Sequence, residues 1–479
     1  MQKMTPSYLA SAVAMSLALA FPVHAAGNAS AAAVVKEAPL RAHLAFLASD
    51  VLEGRGTGQR GADLTVAYLE TQAQALGLKP GNGSSFRQSV MIAGVKTDPA
   101  ASTLALQAGG QALPIRFGDD WVFAPGDATA THAFDNELVF VGYGITAPDE
   151  QWNDFKGLDL KGKVLVMMVN DPQPTAEQPN RFNGKGLTYY GRWTYKFEEA
   201  RRQGAAGVLL IHTTPTASYG WSVIQNSWSG VERFQLAAGT LGSPLQGWMT
   251  DATAQALFKA AGQDLDALRA AAERKDFKPV TLAAKLTGTM QAAVRKVEQF
   301  NVAAVVPGTD PKLKDEVVIY SAHWDHLGKQ GEGKDVIFNG AVDNASGTAA
   351  LLAMAQEAIH APAKRSQMFL WVAAEEQGLL GSAAYAAAPL WPLAKTAANL
   401  NLDSLNFVGA TRDIGTQGSE RTELGMLASS TAKAMGMRIA DAEPDLAGGY
   451  FRSDHFNFAK NGVPAFSIES GRDYIKDVA

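Results

Sequence analysis

Histidines and carboxylates that could bind a metal are spread over the second half of the chain. The candidates are His323, Asp343, Glu375, Glu376, Asp403 and His455. The chain has no cysteine, so any metal must be held by imidazole nitrogen and carboxylate oxygen, a ligand set that suits zinc. The carboxylate of Asp343 has two oxygens and can bridge two metal ions. These residue types predict a metal site, with cobalt and manganese left open as alternatives to zinc.

An alternation of strands and helices must position these side chains. Short apolar runs predict strands at residues 316–322, 366–373, 399–407 and 464–468. Apolar residues at helical spacing predict helices at residues 345–361, 379–388 and 421–435. Near-continuous apolar strands that alternate with helices are typical of a mostly parallel sheet with helices on both faces. The predicted fold class is therefore α/β.

The candidate ligands lie where a sheet of this kind binds its ligands, beyond the carboxyl ends of the strands. His323 follows the first predicted strand, Glu375 and Glu376 follow the second, and Asp403 lies within the third. Asp343 lies where a strand gives way to a helix. Taken singly, each of these residues would more often be an ordinary solvated side chain. Because they are in phase with the strand ends, we expect them to meet at one edge of the sheet.

A glycine-rich loop near the start of the chain is a second candidate for chemistry. Residues 40–52 and 63–76 have helical periodicity and flank the segment Gly54-Arg-Gly-Thr-Gly-Gln-Arg-Gly61. This loop lacks the Lys-Ser/Thr pair that ends a P-loop, and no buried strand precedes it. Phosphate binding is therefore disfavoured at this loop.

From about residue 100 the chain changes to short apolar runs bounded by Gly, Pro and Asp, which predict a smaller, mostly β domain. Within it, residues 219–231 are predicted to be a surface loop, and residues 251–272 a pair of helices. Residues 281–287 and 296–306 are predicted to return the chain to strands.

Composition and targeting signals limit the partners of the chain. The formal net charge of the 479 residues is -5, and no Lys/Arg run exceeds two residues, so nucleic acid is not an expected partner. Lys3, an apolar run at residues 9–21 and a small-residue cleavage pattern ending at Ala25 predict an export signal peptide over residues 1–25. No later stretch is apolar for long enough to predict a membrane span. The protein is therefore expected to be periplasmic or secreted, with its oligomeric state open.

Five short segments together resemble the metal motifs of a known enzyme family. They are Ser321-Ala-His323-Trp-Asp325-His326-Leu-Gly328, Val342-Asp343-Asn344-Ala-Ser-Gly347, Ala374-Glu375-Glu376-Gln-Gly-Leu-Leu-Gly-Ser382, Asn401-Leu-Asp403-Ser404 and Ser453-Asp-His455. In this order they resemble the zinc aminopeptidase family that also contains glutamate carboxypeptidase and the transferrin receptor. The resemblance implies the zinc exopeptidase fold.

The segments from Val141 to Ile145, Asp159 to Val166 and Lys196 to Leu210 resemble a protease-associated domain, which such members carry as an insertion. The resemblance implies three parts after the signal peptide. Residues 36–100 would be the N-terminal part of the peptidase domain, residues 101–290 the inserted protease-associated domain, and residues 291–479 the main part of the peptidase domain.

The resemblance also assigns roles within the site. It implies that Asp343 bridges two zinc ions, that His323 and Asp403 complete one site, and that Glu376 and His455 complete the other. Three further residues receive roles in catalysis or support. Glu375 would be the general base for a zinc-activated water, and Asp325 would accept the second ring N–H of His323. His326, three positions after His323, is an alternative ligand by its spacing, although a structural or rim role is favoured. In the family the peptide bond after the bridging aspartate is cis, which places that bond at Asp343-Asn344.

The expected function is that of an exported metallo-aminopeptidase that hydrolyses the N-terminal peptide bond of peptides. One alternative is a carboxypeptidase or other exopeptidase of the same family, in which Arg412, Arg421 or Arg452 would bind the substrate carboxylate. A single-zinc glutaminyl cyclase is disfavoured because the whole ligand set is present. A binding protein on an inactive peptidase fold is the alternative from another class, and such proteins have lost ligands that this chain retains.

Overall fold

The computed structural model describes residues 35–237, 242–405, 408–441 and 443–476. The predicted signal peptide at residues 1–25 lies outside the described residues. The helices are α1 Glu37–Leu47, α2 Arg60–Ala75, α3 Trp193–Arg202, α4 Thr214–Ala217, α5 Trp221–Trp228, α6 Asp251–Ala260, α7 Leu265–Ala272, α8 Ser346–His360, α9 Leu380–Ala387, α10 Leu424–Ala434 and α11 His455–Lys460.

The strands up to the middle of the chain are β1 Lys79–Pro80, β2 Arg87–Asp98, β3 Ala105–Ala108, β4 Gln111–Ala112, β5 Trp121–Pro125, β6 Thr131–Phe140, β7 Thr146–Ala147, β8 Trp152–Asn153, β9 Val164–Met168, β10 Gly207–His212, β11 Arg233–Leu236, β12 Leu245–Thr250 and β13 Val280–Val306. The remaining strands are β14 Val317–His323, β15 Gly328–Lys329, β16 Ile337–Phe338, β17 Ser366–Val372, β18 Thr396–Leu402, β19 Asp413–Gln417, β20 Arg438–Ile439 and β21 Ala465–Glu469.

Parallel pairing dominates the sheet of the carboxyl half. β14 lies between β17 and β18 and pairs in parallel with both, and β18 pairs in parallel with β21. The end of β13 adds to β17 in antiparallel orientation, and β19 adds to β21 in the same way. These pairings confirm a mostly parallel α/β sheet with antiparallel edges.

Helices cover this sheet on both faces. Apolar residues of α2 and α8, among them Leu69 and Leu351, share one buried cluster with Phe369 and Trp371 of β17. On the other face, Tyr385 of α9 and Phe458 of α11 pack against alternate strand residues such as Ile319, Met368 and Leu370. Burying one such leucine contributes roughly 1.5–3 kcal/mol. The two clusters fix the strand ends from which the candidate ligands project.

The strands predicted at residues 281–287 and 296–306 are confirmed, but they are parts of a single 27-residue strand, β13, that spans Val280–Val306. Its middle pairs with β2, residue Gln291 opposite Asp98 through Val302 opposite Arg87, as a long antiparallel ribbon. Much of this middle segment is exposed or only half-buried, so it lacks the apolar signal on which the prediction depended. The backbone pairing with β2 continues the strand where side-chain patterning stops.

The region before β13 also contains a sheet. β6, β9, β10 and β12 follow one another in parallel pairs, and β5 is antiparallel to β12. The predicted surface loop at residues 219–231 contains helix α5, because Ile224 and Trp228 are one helical turn apart and both are buried. The predicted helix pair at residues 251–272 is confirmed as α6 and α7.

Residues 35–479 group into one compact unit. The division into domains at residues 36–100, 101–290 and 291–479 stays a prediction. The boundary between residues 290 and 291 falls inside the continuous strand β13. Within the described part of the chain, no helix combines the length and the apolar character needed to cross a bilayer.

Candidate metal centre

The carboxyl ends of three neighbouring strands bring the first group of ligands together. His323 is the last residue of β14, Glu375 lies three residues beyond β17, and Asp403 directly follows β18. One ligand atom from each of the three lies within 4.8 Å of the others. His323 Nε2 is 3.3 Å from Asp403 Oδ1. This is the edge at which the sequence predicted that these residues would meet.

A second group lies directly beside the first. Ligand atoms of His326, Asp343 and Glu376 are within 4.8 Å of one another, and His326 Nδ1 is 2.5 Å from Glu376 Oε1. Asp343 Oδ1 is also 3.1 Å from His323 Nε2 in the first group, without the alignment of a hydrogen bond. The carboxylate of Asp343 is therefore within reach of both groups.

The structure places His326 within the second group and His455 outside both groups. His326, expected in a structural or rim role, has a ring nitrogen inside the second group. His455, expected to be the partner of Glu376, begins α11 and is fully buried, but its ring lies outside both groups. Neither of its ring nitrogens has a hydrogen-bond partner in the described structure, although one faces the backbone of Tyr450. A buried imidazole with two unused nitrogens is a strong candidate ligand.

Burial and neighbouring charge tune the histidines in opposite directions. Burial lowers the pKa of His455 to about 4, because the carboxylate of Asp403 only partly compensates for the lost water. Burial also acts to lower the pKa of His323, but the carboxylates of Glu375 and Asp403 raise it well above its usual value. The low pKa of His455 leaves its imidazole neutral at pH 7, which is the form that binds metals.

Glu375 has the environment of a proton acceptor. Loss of water raises its pKa well above the usual value, opposed by His323 and reinforced by the carboxylates of Asp403 and Asp454. Such a carboxylate holds a proton more readily than a solvated one. Cations bound next to it would lower this pKa.

Asp325 is fully buried and orients the loop of Glu375 and Glu376. Its Oδ1 accepts a hydrogen bond from the Glu375 amide at 3.0 Å, and its Oδ2 accepts one from the Glu376 amide at 3.4 Å. The predicted contact with His323 has a different form. The Nδ1 atom of His323 is 3.2 Å from the main-chain oxygen of Asp325 and 3.8 Å from its carboxylate. Asp325 therefore supports two strand ends, using its carboxylate for one and its carbonyl for the other.

Ser453 and Asn401 support Asp403, and the sequence analysis did not identify this role. Ser453 Oγ donates to Asp403 Oδ2 at 2.6 Å, and Asn401 Nδ2 donates to Ser453 Oγ at 2.8 Å. Burial acts to raise the pKa of Asp403, but the charge of His323 and hydrogen bonds from His323, Ser453 and Ser404 lower it to about 2. Their signal was present, since both residues lie within two positions of a predicted ligand.

The loop that presents Asp343 is fixed by its neighbour Asn344. The Asp343-Asn344 peptide bond is cis, as the resemblance implied. Asn344 Nδ2 donates to the carbonyl of Leu402 at 2.9 Å, and its Oδ1 accepts from the Gly347 amide at 2.9 Å in the first turn of α8. A Cβ atom at Gly347 would collide with the Leu402 carbonyl, so only glycine fits there. The loop is thereby tied to the strand that carries Asp403.

The fold and the site together define a class of protein: an α/β protein with a histidine and carboxylate metal centre at the carboxyl edge of a mostly parallel sheet. Residues 301–476 match the model of peptidase family M28. This part of the chain is therefore a peptidase family M28 domain, and the resemblance to the zinc aminopeptidase family is confirmed.

Sequence relatives agree with this assignment. A probable leucine aminopeptidase of Trichophyton verrucosum (strain HKI 0517) is 30% identical over 191 residues, which cover 36% of this chain and 46% of that protein. Leucine aminopeptidase 1 of Trichophyton equinum is 28% identical over 182 residues, which cover 36% of this chain and 47% of that protein. The chain thus spans about half the length of the curated relatives it matches.

The aminopeptidase from Aneurinibacillus sp. strain AM-1 has a similar fold, with a TM-score of 0.50 and 20% sequence identity. The superposition covers 92% of this chain and 86% of that one. At this level of identity the similarity establishes the fold.

Proposed function

We propose that the protein is an exported zinc aminopeptidase that removes the N-terminal residue of peptides, with two zinc ions at the centre and Glu375 as general base. The observation that carries the proposal is the pair of adjoining ligand groups at the sheet edge, with Asp343 within reach of both. Two metal ions that share a carboxylate need this arrangement. A structural ion pair or a solvated acidic surface does not need it.

The donor set of this chain fits zinc. The donors are imidazole nitrogens and carboxylate oxygens, with no thiolate in the sequence. Buried atoms that lack a partner, Asp343 Oδ1 and both ring nitrogens of His455, have the lone pairs that a cation would use. We assign His323, Asp343 and Asp403 to one ion, and Asp343, Glu376 and His455 to the other. His326 is the competing ligand for the second ion.

Each residue of the site then has a defined task. Zinc, when bound, supplies Lewis acidity that polarises the scissile carbonyl and a water molecule. Glu375 accepts the proton at a carboxylate oxygen and delivers it to the leaving amine, which its raised pKa favours. Asp325 holds Glu375 and Glu376 through their amides. Ser453 fixes the orientation of Asp403 and, after His323, helps to lower the pKa of this carboxyl.

The charge of the site favours a substrate with a free amino terminus. The centre is rich in carboxylates. Glu469 lies at the end of the neighbouring strand β21, and burial, followed by the negative charges of Asp403 and Asp445, raises its pKa. An excess of negative charge attracts an ammonium group. The names of the sequence relatives, leucine aminopeptidases, support the same substrate class.

A carboxypeptidase is the alternative, and it needs a free arginine for the substrate carboxylate. Arg412 Nη1 donates to Asp473 at 2.8 Å, and the guanidinium of Arg421 is 4.1 Å from the centre of the Tyr450 ring. Arg452 is exposed. Burial of Arg192 and then the positive charge of Arg452 lower the pKa of Arg192 to about 10. Arg452 is thus the arginine through which the alternative would operate.

The deciding experiment combines metal content with hydrolysis. Elemental analysis of the purified protein should give two zinc ions per chain, and leucyl and alanyl p-nitroanilides should be hydrolysed until a chelator is added. Glu375→Gln should keep its zinc and lose about 100-fold to 10,000-fold in kcat, the range for a general base. Zinc-loaded protein that cleaves only N-blocked dipeptides with a free carboxylate would establish the carboxypeptidase. Intact protein without affinity for zinc would refute both peptidase readings.

Export is tested separately. Expression of the full chain in a Gram-negative bacterium, followed by fractionation and N-terminal sequencing, should give a periplasmic or secreted protein that starts at Ala26. Cytoplasmic protein that retains residues 1–25 would contradict this part of the proposal.

A further inference from the structure

Arg55, in the glycine-rich loop, makes contacts within the protein that suggest a role for this loop. Phosphate binding, which the sequence disfavours, would not require these contacts. Arg55 lies between α1 and α2, is 1% exposed and has a φ of +52°, in the left-handed region that is unfavourable for residues with a Cβ. Glu53 and Gly54 before it also have positive φ values. A backbone of this kind persists only where contacts outweigh its cost of about 1–3 kcal/mol.

The guanidinium of Arg55 supplies those contacts, and all of its acceptors are main-chain carbonyls. Nε donates to Trp324 at 2.8 Å, Nη1 to Asn339 at 2.7 Å, and Nη2 to Gly340 at 2.8 Å. Nη1 also donates to the carbonyl of Leu47. Only an arginine has a planar set of donors that can engage several carbonyls in fixed directions.

The carbonyls that Arg55 binds belong to the two loops that present metal ligands. Trp324 lies between His323 and Asp325, so its carbonyl is part of the loop that runs on to His326. Asn339 and Gly340 lie a few residues before Asp343. One buried side chain therefore joins the loop of the two histidines to the loop of the bridging carboxylate.

Further contacts hold the same three segments together. Asn339 Nδ2 donates to the carbonyl of Ala48 at 2.9 Å and to Asp50 Oδ1 at 2.8 Å. A Cβ atom at Gly54 would lie 2.5 Å from the Phe338 carbonyl and 2.6 Å from that of Gly328, which explains the glycine beside Arg55. The N-terminal segment is thus fitted between the two ligand loops.

Because Arg55 is charged, the direction in which its removal changes metal affinity distinguishes two possible roles. Burial lowers its pKa to about 10, against the attraction of Asp325, Asp343 and Glu376, so the group is cationic at neutral pH. A fixed cation repels a metal ion. If charge were its main effect, removing Arg55 would strengthen metal binding. If loop geometry is its main effect, removing Arg55 weakens metal binding.

We propose that Arg55 is a positioning residue that holds the loops of His323–His326 and Asn339–Asp343 at the spacing that two metal ions require. The proposal rests on the two-zinc function proposed above. It gives the Gly54–Gly61 motif a task at the metal centre, although no atom of Arg55 is assigned as a ligand.

The test compares Arg55→Lys and Arg55→Met with the matched control Arg60→Met in the full-length protein. Arg60 belongs to the same glycine-rich segment, as the first residue of α2, but it is 68% exposed and pairs with Glu53, 3.2 Å away. Zinc affinity is measured by competition with a chelator, alongside the thermal midpoint of metal-free protein and the kcat and KM for leucyl p-nitroanilide. Both Arg55 variants should bind zinc about 10-fold to 100-fold more weakly, the usual effect of removing a support for metal ligands. Their kcat should fall more than KM rises, and Arg60→Met should match wild type.

A second variant covers the case in which the Arg55 variants do not fold. Asn339→Ala removes a tie between the same segments without changing charge, and it should weaken zinc binding in the same direction. Tighter zinc binding by Arg55→Met, or wild-type affinity in Arg55→Lys, would overturn the positioning role. Absence of zinc binding by the wild type would overturn the two-zinc function itself, and with it the role of Arg55.

Discussion

Buried charge has different surroundings in two regions of the molecule. In the region of β6 to β12, Lys196 is fully buried beside Asp154, Asp171 and Glu199, a set we call the lysine cluster. Every member has hydrogen-bond partners. Lys196 Nζ donates to the carbonyl of Asn170 at 2.9 Å, and both oxygens of Asp154 accept, one from the Ile145 amide and one from the Trp152 indole.

The metal centre has the opposite balance. Both ring nitrogens of His455, Asp343 Oδ1 and Asp454 Oδ2 are buried without a hydrogen-bond partner in the described structure. Leaving a buried polar atom unpaired costs roughly 1–3 kcal/mol. The charges of the lysine cluster are paired within the protein, whereas these atoms of the metal centre keep lone pairs that the zinc of the proposed function would use. The pairing of buried charges, rather than their number, therefore distinguishes a structural cluster from a candidate functional one.

The largest expected loss of stability comes from a substitution that breaks the lysine cluster. Lys196→Met leaves Asp154 and Asp171 buried without their cation, so the free energy of unfolding should fall by about 3–5 kcal/mol. Chemical denaturation measures this change. The matched control is Lys460→Met, because Lys460 is 41% exposed and pairs with Glu198; its change should stay below about 1 kcal/mol. Equal small losses in both variants would mean that the lysine cluster does not stabilise the fold.

The next largest effect is the gain in stability when zinc is added to the metal-free protein. Zinc at 100 times its dissociation constant should raise the free energy of unfolding of metal-free wild type by about 2.7 kcal/mol for each site. Calorimetry with and without zinc measures the increment. Lys196→Met should gain the same increment, because its cluster does not share ligands with the centre, whereas His455→Gln should gain less. An unchanged increment in His455→Gln would exclude His455 from the ligand set.

The smallest effect is a pH dependence of the lysine cluster. Burial lowers the pKa of Lys196 to about 7, despite the attraction of Asp171 and Asp154. Between pH 7 and the ordinary lysine value the unfolded chain binds more protons than the folded one, so stability rises with pH. Burial raises the pKa of Asp154 to about 6, against its two hydrogen bonds and the charge of Lys196. The folded chain therefore binds more protons below pH 6, and stability falls as the pH rises towards 6.

The double variant Lys196→Met with Asp154→Asn should lose the slope above pH 7 and the part of the lower slope that Asp154 contributes, each at most about 1.4 kcal/mol per pH unit. Asp171, whose pKa is also raised by burial, still titrates in this variant. Unfolding free energies at pH 5 to 9, in metal-free protein, give the difference between the two profiles. A wild-type profile that stays parallel to that of the double variant would show that Lys196 and Asp154 do not titrate in this range.

Much of the fold was predictable because local patterns are strong in the carboxyl half. The apolar runs of β14 and β17 and the periodicity of α8 gave correct strands and a correct helix, since buried parallel strands and a core helix have little polar sequence. The strand β13 was not predictable in full. Its middle is exposed, and only the pairing with β2 keeps it extended.

The site was predictable in its residue types and less so in its distances. His323, Glu375 and Asp403 could be placed together because they follow parallel strands, whose ends meet at one edge. The role of Ser453 was not identified, since a serine beside a predicted ligand has many possible partners. The sequence resemblance paired His455 with Glu376, whereas the structure places His326 Nδ1 2.5 Å from Glu376 Oε1. The two histidines reach the centre from different loops, and sequence spacing does not show which of them lies nearer.

By itself, the sequence determined the α/β class, the identity of the candidate ligands and the absence of thiolate chemistry, because these follow from residue type and local spacing. Only the tertiary structure decided that Asp343 reaches both ligand groups, that the nitrogens of His455 lack partners, and that Arg55 holds the two ligand loops. These are contacts between residues far apart in sequence. Their geometry is fixed by packing of the whole sheet and by the N-terminal segment fitted between the loops, which no local pattern encodes.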